Sequence, residues 1–76
     1  MPIVRIRFKG KIYTRTVIRN FRGWYIMPSK GIDYTFVKDE FIEDNYGWHI
    51  YGDNSLDETF LEQIAPQLEE LSKLAK

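Results

Sequence analysis

All five leucines of this 76-residue chain lie at or after position 56, whereas eleven of its twelve isoleucines and valines and eleven of its twelve aromatic residues precede position 52. β-Branched and aromatic side chains suit a pleated, half-buried surface, and leucine suits a helix. The chain is therefore expected to lay down strands first and a helix last. Glycines at 10, 23, 31, 47 and 52 punctuate the first part, where turns call for residues that accept positive φ. This places strands near 3–8, 11–19, 24–28, 33–37 and 48–51. Their connections are too short for parallel crossovers, which need a dozen or more residues. The expected fold is α+β: an antiparallel meander of four or five short strands, left open or curled into a small SH3-like barrel, with one C-terminal amphipathic helix. One domain covers 1–76, strand-rich over 1–52 and helical over 55–75.

A face argument sets the first hairpin. A three-residue Lys9-Gly10-Lys11 connection puts Phe8 opposite Ile12, Ile6 opposite Thr14 and Val4 opposite Thr16, whereas a two-residue connection sets Ile6 opposite Tyr13 and Val4 opposite Arg15. The first keeps apolar residues together and is the expected register. It puts Ile3, Arg5, Arg7, Tyr13, Arg15, Val17 and Arg19 on the outer face.

Ser55 and Glu58 have capping-box spacing, each side chain reaching the other's free backbone amide, so the helix is expected to start there. Acidic Asp57 and Glu58 at the start and Lys73 and Lys76 at the end suit the helix dipole. Leu61, Ile64, Ala65, Leu68, Leu71 and Ala75 form the stripe that should cover the sheet. Pro66 either kinks the helix or begins a second one. Between strands, Lys38 to Tyr46 suits a single helical turn or a wide loop.

The formal charge is zero, yet it conceals two opposite halves. Residues 1–38 carry nine Lys and Arg against Asp33 alone, and residues 39–76 carry ten Asp and Glu against Lys73 and Lys76. The plain reading is that the halves fold together and neutralise each other through weak surface pairs. The functional reading is a docking face, because complementary potentials steer association. The candidate binding residues are Arg5, Arg7, Tyr13, Arg15, Arg19, Phe21 and Arg22: five arginines that fork onto carboxylates or phosphates, and two rings. Phe21 in the turn Asn20-Phe21-Arg22-Gly23 is the best candidate for an exposed contact, whereas Trp24, Tyr25, Phe36 and Trp48 are expected in the core.

Catalytic and cofactor chemistry has little to stand on. There is no cysteine, no phosphate-binding glycine loop, no zinc pair of histidines and no nucleophile spaced to meet a base. His49, the only histidine, reads as a half-exposed strand residue, and Asp39, Glu40, Glu43 and Asp44 read as a solvated acidic loop without the alternation of a calcium site. The longest run of large apolar residues, Trp24 to Met27, is far below the ~18 needed to span a bilayer. A cytoplasmic protein with no membrane partner, cofactor, metal or small-molecule substrate is expected. The function this supports is a small non-enzymatic binding module, a regulator or adaptor docking on a larger protein through a basic sheet face or an acidic helix and loop. The alternative is a nucleic-acid-binding module using the basic, aromatic face of the first hairpin. A domain of this size without staples is also expected to be a homodimer or to need a partner for full stability.

Overall fold

A computed structural model describes residues 2–52 and 56–74. Six strands run in order, β1 (Ile3–Phe8), β2 (Lys11–Thr16), β3 (Ile18–Arg19), β4 (Tyr25–Ser29), β5 (Ile32–Lys38) and β6 (Trp48–Ile50), and one helix, α1 (Glu58–Leu74), follows. All pairings are antiparallel. The strands divide into a β1–β2 sheet and a β3–β4–β5–β6 sheet. The expected strand 11–19 is thus broken at Val17, whose side chain is fully buried.

The first hairpin differs from expectation. Ile6 pairs with Tyr13, Val4 with Arg15 and Phe8 with Lys11, so the connection is the two-residue Lys9-Gly10. Both turn residues have positive φ, 50° and 78°, the combination whose twist matches that of the flanking strands. Turn geometry outweighs the apolar pairing argument. Ile12 accordingly lies on the outer face, 63% exposed, and Tyr13 and Arg15 move to the inner one. Lys30-Gly31 closes the β4–β5 hairpin in the same way, with φ of 41° and 82°.

The break between the sheets coincides with a proline. In antiparallel pairing a residue turns its N–H and C=O to the same side, and successive residues alternate. Ile18 pairs with Ile26, so the next facing pair would be Thr16 with Pro28. Proline has no N–H to donate. Beyond this point β2 and β4 are unpaired, and among the described residues there is no closed barrel.

The core joins both sheets to the helix: Val4, Val17, Tyr25, Phe36, Trp48, Ile64, Ala65 and Leu68 are essentially inaccessible. Tyr25 meets Trp48 edge-on with centroids 5.8 Å apart, a favoured aromatic geometry. α1 is one element through Pro66, which is exposed; the ring there removes the donor that the Glu62 carbonyl would otherwise meet. Leu61 and Leu71 are partly buried beside the stripe, and Ala75 lies outside the described residues.

Ser55, the expected cap, also lies outside them. The described helix begins at Glu58, with Asp57 in the capping position: its Oδ1 accepts from the Thr59 amide at 2.9 Å and hydroxyl at 2.7 Å. These bonds hold the Asp57 carboxyl below its ordinary range.

The two flanks of α1 fasten it to opposite sheets. On one flank, Gln67 Oε1 accepts from the Arg5 amide and its Nε2 donates to the Arg5 carbonyl, both at 2.7 Å. One turn earlier, Gln63 repeats the pattern on Arg7 at 2.7 and 3.0 Å. Four helical residues advance about 6.0 Å and two strand residues about 6.6 Å. Glutamines spaced i, i+4 can therefore stand in for a neighbouring strand along the edge of β1. On the other flank, Glu69 accepts from Trp48 Nε1 at 3.1 Å and pairs with Lys38 Nζ at 2.6 Å. The Lys38 bond, chiefly, depresses the Glu69 pKa.

Residues 39–47 form a wide loop whose last part takes the left-handed conformation at Asn45 and Tyr46, φ 53° and 58°. The Asp39 amide donates to the Gly47 carbonyl at 3.0 Å and closes it. Gly47 has φ 86°, and a β-carbon there would collide with the Asp39 carbonyl oxygen. No helix among the described residues is long and apolar enough to cross a membrane.

Candidate binding cleft

Where β2 leaves β4, the two hairpins diverge around a cleft of about 360 Å³, at the low end of ligand-site volumes. Ile6 and Met27 line its base. Phe8, Tyr13 and Arg15 reach it from the first hairpin, Ser29, Lys30 and Tyr34 from the β4–β5 hairpin, and Leu56 and Phe60 from the start of the helical segment. Phe8 and Phe60 touch, with centroids 5.3 Å apart and planes tilted by 50°. The Arg15 guanidinium sits 5.6 Å from the Tyr13 ring centroid, a cation–π contact that holds charge beside an aromatic surface. The lining thus contains four aromatic rings and two cations and, among the described residues, no carboxylate.

The observed register brings together only two of the seven residues nominated from sequence, Tyr13 and Arg15. Arg5 and Arg7 alternate with the buried Val4 and Ile6, so they occupy the other face of the hairpin with Ile12 and Thr14. Arg19, Phe21 and Arg22 sit at the far end of the four-stranded sheet. There Asn20 Oδ1 accepts from the Arg22 and Trp24 amides at 2.9 and 3.0 Å and organises the turn. It holds Phe21 outward, 94% exposed, with the Arg22 guanidinium 5.6 Å from its ring and 5.1 Å from that of Trp24. A single basic face on the first hairpin does not exist in this register.

Phe8, Lys30, Tyr34 and Phe60 are cleft residues that sequence reasoning missed. For Lys30 and Tyr34 the signal is the Lys30-Gly31 dipeptide, because a two-residue turn fixes which side chains of the β4–β5 hairpin face inward.

The acidic loop shows no convergence. Asp39 Oδ1 is occupied by the Phe41 amide at 2.9 Å, and among the described residues no three acidic, histidine or cysteine side chains are placed to share a metal ion. His49 is half-buried, with Nδ1 3.2 Å from the Gly47 carbonyl. Between described residues, Lys38–Glu69 is the ion pair that joins the two charge classes. No family model matches the chain, and neither the curated proteins nor the solved structures offer a match.

Proposed function

We propose that the protein is a non-enzymatic binding module that docks on a larger protein by taking an acidic segment of it into the cleft between the hairpins. The observation that carries this reading is the composition of the lining: two cations among four rings, with no carboxylate among the described residues to neutralise them. Arginine beside tyrosine offers a carboxylate a forked donor and offers the stem next to it a flat apolar surface. Ser29 and the two tyrosines supply hydroxyls, but no described carboxylate or imidazole in the lining could act as their base, which favours recognition over catalysis.

The arrangement is less suited to nucleic acid. A phosphate backbone is tracked by a row of cations on one surface, and here Arg5 and Arg7 face away from Arg15. A titration of Arg15→Glu, Lys30→Glu protein with an acidic seven-residue peptide tests the reading, alongside a single-stranded oligothymidylate. Native protein should bind the peptide. The double variant should keep its fold and bind about tenfold or more weakly, since reversing a rim charge replaces attraction with repulsion. Undiminished peptide binding by the variant, or preferential binding of the oligonucleotide by native protein, would overturn the reading.

A further inference from the structure

We infer that the occupant of the cleft is an extended acidic strand that adds to the outer edge of β2; this rests on the reading of the cleft as a peptide site. The first observation is an asymmetry between two sheet edges. Arg5 and Arg7 turn their N–H and C=O groups to the outside of β1, where Gln67 and Gln63 satisfy them. Their opposite numbers, Thr14 and Ile12, must turn theirs to the outside of β2, because such pairs point away from each other. Thr16, opposite Ile3, does the same. Among the described residues no backbone group meets this edge. β4 is the neighbouring element on that side, and its Pro28 has no N–H to offer the Thr16 carbonyl. At Arg5 and Arg7 one edge of the hairpin is sealed by dedicated side chains, whereas the other, among the described residues, is unpaired beside the cleft. Apart from the Thr14 carbonyl, which accepts from Arg15 Nη1, the outward donors and acceptors of Ile12, Thr14 and Thr16 form a row that suits an extended backbone.

The second observation fixes the side chains. Lys11, Tyr13 and Arg15 alternate along β2 on the cleft side, and Arg15 Nη1 rests on the Thr14 carbonyl at 3.1 Å, over the open edge. Cross-strand neighbours of opposite charge favour pairing and like charges oppose it. A strand laid along β2 is therefore matched when acidic residues fall opposite Lys11 and Arg15 and an apolar residue falls opposite Tyr13, toward Met27 and Phe60. A second copy of this chain paired through its own β2 would bring two Lys11 and two Arg15 side chains together, which argues against self-pairing. The partner chemistry is acidic–x–apolar–x–acidic in extended form.

The probe is the peptide Thr-Glu-Thr-Leu-Thr-Glu-Thr, made in three forms: unmodified, N-methylated at the threonine amides, and N-methylated at the Glu and Leu amides. In a paired strand one alternate set of amides faces β2 and the other faces away, so one methylated peptide should bind about tenfold more weakly than the other. The Ile12 and Thr14 amides should exchange rapidly in free protein and slowly in the complex. Thr14→Pro, which removes an outward N–H from an edge where proline is tolerated, should weaken the unmodified peptide without unfolding the protein; the methylated peptides keep the test valid if that variant misfolds.

Equal binding of the two methylated peptides, with Ile12 and Thr14 still exchanging rapidly, overturns strand addition while leaving the cleft reading intact if Arg15→Glu, Lys30→Glu still abolishes binding. Binding that survives that charge reversal overturns the cleft reading instead. No binding at millimolar peptide overturns both. Protection of Ile12 and Thr14 in free protein that grows with protein concentration identifies a second copy as the occupant and also refutes the inference.

Discussion

Replacing Gln63 and Gln67 together by Met tests the fastening of α1 to β1. Methionine keeps the length, apolar stem and helix propensity of glutamine, so the change removes the four hydrogen bonds to Arg5 and Arg7 and, within the helix, the one from Gln67 Nε2 to the Gln63 carbonyl. A net protein hydrogen bond contributes roughly 0.5–1.5 kcal/mol. The strand edge is partly wet, so water can replace the lost partners and the low end applies, giving about 2 kcal/mol for the set. In a domain of this size each kcal/mol moves Tm by about 4–8 °C, so the double variant should melt roughly 8–16 °C lower. Glu62→Met on the exposed face is the control and should stay within about 0.5 kcal/mol. Thermal unfolding followed by circular dichroism supplies the first measurement and amide exchange at Arg5 and Arg7 the second. An unchanged Tm together with unchanged protection of both amides would refute the role of the glutamines as a substitute strand.

Gly47→Ala should destabilise by roughly 2 kcal/mol or more in denaturant unfolding, since positive φ and collision with the Asp39 carbonyl act together; Gly10→Ala, with nothing near its added carbon, should cost less. Pro28→Val restores a donor opposite Thr16, so exchange at Thr16 should slow and the probe peptide should bind more weakly as the gap closes. Glu69 and Asp57 have folded pKa values below their ordinary ones, so their contribution is present above the unfolded carboxylate range and is lost as pH falls through the folded values. Stability should therefore drop below about pH 4.5, and Glu69→Gln should flatten part of that slope in melts from pH 6 to 2.

Most of the architecture could be read from residue types. Period-two and β-branched segments marked the strands, and the Leu61, Ile64, Leu68 spacing marked the helix. Apolar pairing alone points to the wrong register, because turn geometry decides it: Lys-Gly at 9–10 and again at 30–31 favours two-residue loops. That single error moved Tyr13 and Arg15 to the wrong face and made one basic surface out of three separate groups. Pro28 inside a strand was a legible sign that pairing on one side would stop. Gln63 and Gln67 carried no local sign at all, since their partners lie 56 and 62 residues away and nothing near them requires an amide. The cleft is similarly non-local: it needs three elements to be placed before Phe8, Tyr34 and Phe60 become neighbours.

The dependence of the β1 edge on residues so distant in the chain has a consequence during synthesis. At about 5–20 residues per second, the 47 positions from Thr16, which completes the hairpin, to Gln63 take roughly 2–9 s to be made. Throughout that interval the first hairpin has no helix to seal it, and its edge can template pairing with any other nascent strand. Arg5 and Arg7 sit at two of the positions whose backbone faces outward on β1, and charged side chains flanking an edge are the usual guard against such misassembly. On this account the two arginines protect the ribosome-bound chain before the glutamines arrive, and replacing them by threonine should leave the purified protein folded while lowering its soluble yield on expression.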